Sequence, residues 1–576
     1  MPRPAHGVAP PTRYAYPVTT PVHPTSHPGP EPATVSGTLV DPVRKTRFGA
    51  RLTISAGGAI EAVTPDDTPG PLYILPGLVD AHAHIESSLL CPAEFARAAV
   101  VHGTLAAVAD PHEIANVLGE EGVELLLAQA RLTPFVFGFG APSCVPALPS
   151  ENAGARLGPD AVARLLARPG VTHLAEMMNV AGVLGRDPGA LAALAAARAA
   201  GKPVDGHGLG LSGAALHACA AEGISTDHEC ATIDDARERI KAGIKLQIRC
   251  GPAASRVETL LPLLARYPDM CMFCSNDMTP DALLRGHITR IAATAYRKGI
   301  SLQAILQAAS VNPVLHYRLP LGLLQPGDSA DFILLEDFDT FEPREVWLRG
   351  RRVARDGRPL LPGGEPCAQN RFAAGLLRPE DLRVAAPAGR RLRVIRVLDA
   401  QEATECALAA PPVRDGFAVA DTSRDLAKLV VCNRYAPAPP AVGFVSGFGL
   451  ARGALASSVA HDSHHIIAIG ATDEALAAAI NDVVMRRGGL VVADNNRKVL
   501  AALPLPFAGL MSCRPAEEVA RAYRDCDALA RLFGSRLASP FATLSFLSLP
   551  VLPRLRLTDK GLYDADAARY VPLFAE

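Results

Sequence analysis

A repeated alternation of apolar and helix-forming segments dominates residues 77–312. Short apolar or β-branched runs alternate with Ala- and Leu-rich stretches, such as 160–167 and 191–200, and eight such units can be counted. Eight strand–helix repeats in roughly 250 residues is the size of a (β/α)8 TIM-like barrel. A doubly wound open α/β sheet gives the same alternation and is not excluded by periodicity. The strands are predicted to begin near Leu78, Leu105, Pro134, Thr172, Lys202, Ile224, Ile244 and Met270.

Polar side chains follow these apolar runs, where each predicted strand ends. Enzymes with this barrel assemble their active sites at the carboxyl ends of the strands. A polar residue after every strand is difficult to explain by solubility alone, so we expect a site at this edge. The residues are His82, His84, Asp110, His112, Glu113, Ser143, Glu176, His207, His228, Arg249 and Asp277.

Shorter β-like sequence flanks the repeats on both sides. We predict that strand-like segments at 37–63 and 327–353 form one small β-sandwich domain, split into 36–75 and 325–360 by a barrel over 76–324. A Pro- and Gly-containing linker covers 357–367. Residues 368–576 are predicted to form an additional C-terminal α+β domain, with strands at 429–431 and 466–469 and a helix at 472–485.

The charge balance points to a small-molecule partner. Lys and Arg total 57 against 58 Asp and Glu, so no overall field would attract nucleic acid or an anionic membrane.

The first 35 residues are rich in Pro, Thr and His, lack an apolar signal core and are predicted to be a disordered tail, which indicates neither export nor anchoring. Twelve scattered cysteines, with one isolated CxxC at Cys271 and Cys274, favour reduced thiols and a cytoplasmic location. A homo-oligomer is left open.

The first strand ends in a His-x-His pair, His82 and His84. Residues two apart on a strand face the same side, so both imidazoles can converge on one metal ion. With 16 histidines in the chain the pair alone is a weak signal, and two histidines bonded to backbone groups would explain the isolated pair better. Further imidazoles and carboxylates at later strand ends favour a hydrolytic Zn, Mn or Fe site, in which a carboxylate can bridge two ions.

Several longer motifs, in the same order, carry a family resemblance. The chain resembles bacterial adenine deaminases of the amidohydrolase superfamily from about residue 37 to its C-terminus. The barrel motifs are PGLVDAHAHIESSLL, ADPHEIANVLG, PSCVPALP, AEMMNVAGVLG, VDGHGLGLSG and ISTDHECAT. In the last domain they are AHDSHHIIAIG, LPLPFAGLMS and SPFATLSFLSLPVLP.

The resemblance implies hydrolytic deamination of adenine to hypoxanthine and ammonia by a metal-activated hydroxide, in purine salvage. It implies a binuclear centre of divalent Mn or Fe, with Zn as the alternative, and places Glu176 where many relatives have a bridging carbamylated lysine. Glu113 is the candidate proton shuttle, although a helix first-turn acid stabilised by the macrodipole explains it equally well. Asp277 is the candidate acceptor of the water's proton. The implied ligands are His82, His84, Glu176, His207, His228 and Asp277.

Other polar residues have weaker assignments. Ser87, Met177, Asn179 and Arg249 are predicted to contact the substrate, although a serine here can cap a helix and a methionine at a strand end usually fills the core. His461, His464 and His465 could form a second metal site, but we predict a solvated loop.

The chain departs from the family pattern at two strand ends. Relatives show a CTDDRHP-like run where this chain has CSNDMTP, and an acid where it has Cys250. Asn276 takes the place of the usual strand-eight Asp, so Asp277 reaches the centre only if the strand has ended or is bulged there. Two alternatives therefore stay open: a non-catalytic purine-binding or regulatory protein, and a hydrolase of another cyclic amine or amide.

Overall fold

The predicted N-terminal tail lies largely outside the part of the chain that can be described. The computed structural model describes residues 32–251, 255–399, 401 and 403–575. A strand, Ala33–Asp41, already begins within the predicted tail and pairs along its whole length with Thr46–Ile54. The sheet ladder starts with Ala33 opposite Ile54, inside the range predicted for the tail.

The eight predicted strands of the repeat region are all present, and each begins within two residues of its predicted position. They are almost entirely buried, which explains why they are continuous apolar runs rather than alternating ones. Their bounds are Leu78–Ala83, Thr104–Ala109, Val136–Ala141, Val171–Met177, Val204–Gly206, Thr226–Asp227, Lys245–Arg249 and Cys271–Cys274.

All pairings between these strands are parallel, as expected for an α/β fold. The first five strands form one sheet and the last three another. A parallel bridge between Val204 and Ile224 joins the fifth strand to the segment before the sixth, and a second bridge joins Ala83 to Asn276, just after the eighth strand. The carboxyl ends of the first and eighth strands are therefore neighbours.

Helices follow the strands, and several begin at a side-chain cap. Thr232 and Asp235 form a reciprocal capping box, and the Asp187 carboxylate accepts a hydrogen bond from the Ala190 amide. The predicted helices at 160–167 and 191–200 are confirmed within three residues. The α-helices are Pro92–Val100, His112–Leu118, Glu120–Ala130, Pro159–Leu166, Val180–Leu184, Pro188–Ala199, Gly213–Ala221, Ile233–Lys241, Val257–Arg266, Pro280–Leu284, Ile288–Arg297, Leu302–Leu306 and Asn312–Tyr317.

The two flanking β segments join in one continuous eight-stranded sheet. Tyr73–Pro76 makes the connection, because it pairs in parallel with Ala33–Asp41 and antiparallel with Phe332–Leu335. Apolar side chains from both segments pack in a core of their own. The remaining strands are Thr46–Ile54, Ile60–Pro65, Pro343–Leu348, Arg351–Arg355 and Arg358–Pro359.

The C-terminal region is built on a nine-stranded mixed sheet and contains the predicted strands and helix. The Ser512 amide donates to the Leu89 carbonyl at 2.8 Å, so this region packs directly against the loop after the first parallel strand. The sheet contains Arg391–Val397, Thr404–Ala409, Ala427–Cys432, Ala441–Ser446, Ala454–Ser457, Ile466–Gly470, Gly489–Ala493, Val499–Pro504 and Phe574–Ala575. Three-stranded sheets contain Val384–Ala385, Val413–Arg414 and Phe417–Ala418, and Leu555–Thr558, Gly561–Asp564 and Arg569–Tyr570; the α-helices are Asp473–Arg486, Ala516–Leu532 and Pro540–Phe546.

Among the residues described, no helix combines the length and the apolar composition needed to cross a bilayer.

Candidate metal centre

Glu176 lies at the centre of the histidines predicted to bind metal. Its Oε2 atom is 3.4 Å from Nε2 of His82, 3.2 Å from Nε2 of His228 and 3.6 Å from Nδ1 of His207. Burial alone would raise the pKa of Glu176, but the surrounding imidazoles, His207 first, lower it well below its usual range. The structure therefore brings three predicted ligands, from strands one, five and six, together around the ionised carboxylate of Glu176 on strand four.

The other oxygen of Glu176 faces a second group of imidazoles. Oε1 is 3.8 Å from Nδ1 of His112, and His84 lies within the same group of potential ligand atoms. Nε2 of His84 is 3.3 Å from Nε2 of His82, as expected for side chains two apart on one strand. Glu176 is thus shared between two sets of nitrogen donors.

His112 and Asp110 were not among the predicted ligands, although both stand among the strand-end polar residues. The Asp110 carboxylate is 3.1 Å from Nδ1 of His112, and its other oxygen accepts a hydrogen bond from the Glu176 amide. Burial alone would lower the pKa of His112, but Asp110 and neighbouring carboxylates raise it well above its usual value. The sequence signal that could have identified Asp110 and His112 was their position directly after strand two, in ADPHEIAN.

The donor set fits divalent ions. Glu176, His82, His84, His112 and His228 are each at most 5% exposed. Within the described residues, Oε2 of Glu176 and Nδ1 of His207 are buried without a hydrogen-bond partner. Buried polar atoms are normally satisfied, so atoms left without partners at a convergence of imidazoles and a carboxylate indicate a site for divalent metal ions.

Arg249 lies beside this centre and pairs with Glu229, which was not among the predicted site residues. Its guanidinium is 3.1 Å from Oε1 of Glu229, and Glu229 is also 3.2 Å from Nε2 of His228. Burial raises the pKa of Glu229, but Arg249, His207 and His228 together outweigh this effect and lower it. Arg249 thus lies at the edge of the centre. It is placed there because it is the last residue of strand seven, Lys245–Arg249.

Asp277 is in none of the groups of potential metal ligands found among the described residues. Its carboxylate accepts hydrogen bonds from Oγ of Ser87 at 2.6 Å and from Nδ2 of Asn276 at 3.0 Å. Asn276 has a φ of 58°, in the left-handed region, so the strand has ended there and the alternation of faces no longer applies. The structure therefore brings Asp277 to Ser87 rather than to the histidine groups.

Glu113 connects the strand-two end to the C-terminal region. It is buried, and its two oxygens contact Nδ1 of His461 and Nε2 of His464. Burial raises the pKa of Glu113, but these two imidazoles lower it well below its usual range. The predicted solvated loop is wrong, because His461, His464 and His465 are at most 4% exposed in the described structure.

Met177 and Asn179 have structural contacts. Met177 is 1% exposed and packs in the main apolar core. The Asn179 side chain accepts a hydrogen bond from the Gly182 amide and caps the helix Val180–Leu184. Neither lines the cavity formed beside Ser87 and Asp277, whose walls also include His461, Tyr523 and Phe546.

Comparisons with known proteins agree with this geometry. Residues 73–353 match the amidohydrolase family, and residues 401–569 match the adenine deaminase C-terminal domain. The chain is 48% identical over 544 residues to an adenine deaminase of Salinibacter ruber, covering 94% of this chain and 99% of that protein. It is 44% identical to an adenine deaminase of Methanosarcina barkeri, with the same coverage, and 38% identical to one of Borreliella burgdorferi, over 93% of this chain and 99% of that protein. Similarity at this level, along nearly the whole of both chains, shows that the protein belongs to the adenine deaminase family of amidohydrolases.

Proposed function

We propose that this protein hydrolyses adenine to hypoxanthine and ammonia. The observation that carries the proposal is Glu176, whose two oxygens face separate groups of buried imidazoles, in a chain 48% identical to a protein named adenine deaminase. Buried imidazole and carboxylate donors at the carboxyl ends of parallel strands are suited to hydrolysis. A protein that only binds purines would not need such a donor set.

The proposed centre holds two divalent ions. His82 and His228, with His207 nearby, would hold one ion; His84 and His112 would hold the other, and Glu176 would contribute to both. Bound Mn or Fe, or Zn as the alternative, would lower the pKa of a coordinated water towards neutrality. The support is the presence of two groups of three donors that share Glu176, with the ligand atoms of each group within 4.8 Å of one another.

The remaining polar residues would take part in proton transfer. Hydrolysis joins the water oxygen to C6 of adenine, and the amine then leaves as ammonia with one proton taken from that water. Asp277 is the proposed acceptor of the water's proton, held by the 2.6 Å hydrogen bond from Ser87. Glu113 accepts hydrogen bonds from two imidazoles, so we propose that it positions them rather than releasing a proton itself.

We also propose a closed (β/α)8 barrel over residues 76–324, a small β domain from residues 33–75 and 325–360, and a C-terminal domain over 368–576. The support for closure is the bridge from Ala83 to Asn276. Twelve free cysteines support a cytoplasmic location.

The test is product analysis with the protein reconstituted separately with Mn, Fe and Zn. We expect stoichiometric ammonia and hypoxanthine from adenine, and much slower turnover of adenosine. The His82→Ala/His84→Ala double variant should lose metal and activity together. Adenine binding in equilibrium dialysis without product would favour the non-catalytic alternative. The observation behind that alternative is that Asn276 and Cys250 stand where relatives have acids. Ammonia release from other cyclic amines alone would favour a different hydrolase.

A further inference from the structure

A cavity lies between the parallel strands and the C-terminal region. It is small, about 40 Å³, and its walls are mostly apolar with a few polar groups. The Tyr523 hydroxyl in its wall is buried and has no hydrogen-bond partner among the described residues, so a polar ligand atom would satisfy it. The side chains that the argument uses are Ser87, Asp277, His461, Tyr523 and Phe546.

His461 is held rigidly in this wall. Its amide donates to the Ser545 carbonyl at 2.9 Å, and its ring stacks on Phe546 with centroids 4.5 Å apart. Its Nδ1 contacts Glu113, whereas Nε2 has no hydrogen-bond partner within the part of the chain that the structure describes. A histidine fixed on three sides, with one nitrogen left over beside a cavity, is arranged to meet a ligand.

The contacts of Glu113 fit hydrogen bonding better than a third metal ion. The Ala460 amide donates to Nδ1 of His464 at 3.2 Å, so that nitrogen accepts through its lone pair and carries no proton. Nε2 of a neutral His464 therefore carries the proton and donates it to Glu113. An imidazole nitrogen that carries a proton cannot bind a metal. Glu113 then also accepts from Nδ1–H of His461, which leaves the lone pair of His461 on Nε2.

We propose that His461, supplied by the C-terminal region and oriented by Glu113, is a further catalytic residue that delivers the proton to the leaving nitrogen. The inference rests on the proposed deamination. As the C6–O bond forms, the proton released by the attacking water passes to Nε2, directly or through Asp277, which lines the same cavity. Nε2–H then protonates the exocyclic nitrogen, the C6–N bond breaks, ammonia leaves, and the imidazole returns to its neutral form.

The experiment compares a leaving group that needs a proton with one that does not. His461→Gln and His464→Gln are assayed with adenine and with 6-chloropurine, whose chloride leaves unprotonated. His464 is the matched control, because it also bonds to Glu113 but does not line the cavity. For His461→Gln, kcat with adenine should fall at least about 100-fold and kcat with 6-chloropurine less than about tenfold. His464→Gln should lose less than about tenfold with either substrate, and metal content should be unchanged in both.

Two further readouts separate the explanations. Because neutral His461 must accept the proton, the acidic limb of kcat against pH for adenine should disappear in His461→Gln. An equal loss with both substrates, an unchanged pH profile, or the loss of one metal equivalent would each overturn the role of His461, the last in favour of a metal ligand. If the parent protein releases ammonia and His461→Gln does so at the same rate, only this inference fails. If the metal-loaded parent releases none, the proposed function itself fails.

Discussion

Replacing Glu176 by Gln tests the shared position of this carboxylate. Gln has nearly the same shape and volume, so packing is preserved while the negative charge and one strong ligand oxygen are lost. The Oε2 atom that faces His82 and His228 at 3.2–3.4 Å and the Oε1 atom that faces His112 at 3.8 Å both belong to this one side chain. One substitution should therefore weaken both donor groups.

The size of the effect can be bounded. Residues that merely orient a metal ligand typically contribute about 10–100-fold to metal affinity. A carboxylate shared by two ions should contribute at least the upper value, so we expect each ion to bind at least about 100-fold more weakly in Glu176→Gln, or about 2.8 kcal/mol at 1.4 kcal/mol per factor of ten. Activity with adenine should fall with metal occupancy.

The assay is elemental analysis after dialysis against a metal buffer, together with thermal unfolding with and without metal. Glu151→Gln is the matched control. Glu151 is equally buried, but burial raises its pKa well above the usual value, so the uncharged Gln should perturb this position less than it perturbs Glu176. Two metal equivalents in Glu176→Gln at parental affinity would refute the reasoning.

Three other changes have distinct signatures. Arg249→Met leaves the Glu229 carboxylate buried without the guanidinium of Arg249, and should lower the free energy of unfolding by about 3–5 kcal/mol in urea titrations. Unchanged stability with a raised KM would instead indicate that Arg249 contacts the substrate. Asp277→Asn should keep full metal content and the fold but lose most of kcat, whereas lost metal in elemental analysis would restore Asp277 as a ligand. Burial raises the pKa of Asp527 to about 6, so its contribution to folding is complete below its ordinary pKa of 3.8 and is lost as the pH rises through 6. Asp527→Asn should therefore gain up to about 3 kcal/mol relative to the parent between pH 4 and pH 8, and parallel stability curves from urea unfolding would contradict this.

Much of the parallel-strand region could be predicted from local sequence. Buried parallel strands are continuous apolar runs, and the helices between them have their own composition, so the eight strands begin within two residues of their predicted positions. The convergence of His82 and His84 also follows from the two-residue repeat of a strand. These features depend on residues close together in the chain.

The small β sheet needed more than local pattern. Strand-like segments before and after the parallel strands were recognisable, but their union into one continuous sheet depends on Tyr73–Pro76 pairing with strands on both sides. Hydropathy predicts which segments become strands, whereas the partners of each strand are chosen by long-range packing.

The site was decided by tertiary structure wherever its residues come from distant parts of the chain. His112 has the same local surroundings as any first-turn histidine, and only the sheet, in which strand three joins strands two and four, brings Glu176 within 3.8 Å of it. Asp277 turns to Ser87 because the backbone leaves the strand at Asn276. His461 and His464 lie in a polar stretch that locally resembles an exposed loop, yet they are buried against Glu113, 348 and 351 positions earlier in the chain. Sequence patterns encode periodicity over a few residues, whereas the burial of a polar group depends on a partner that only the folded chain supplies.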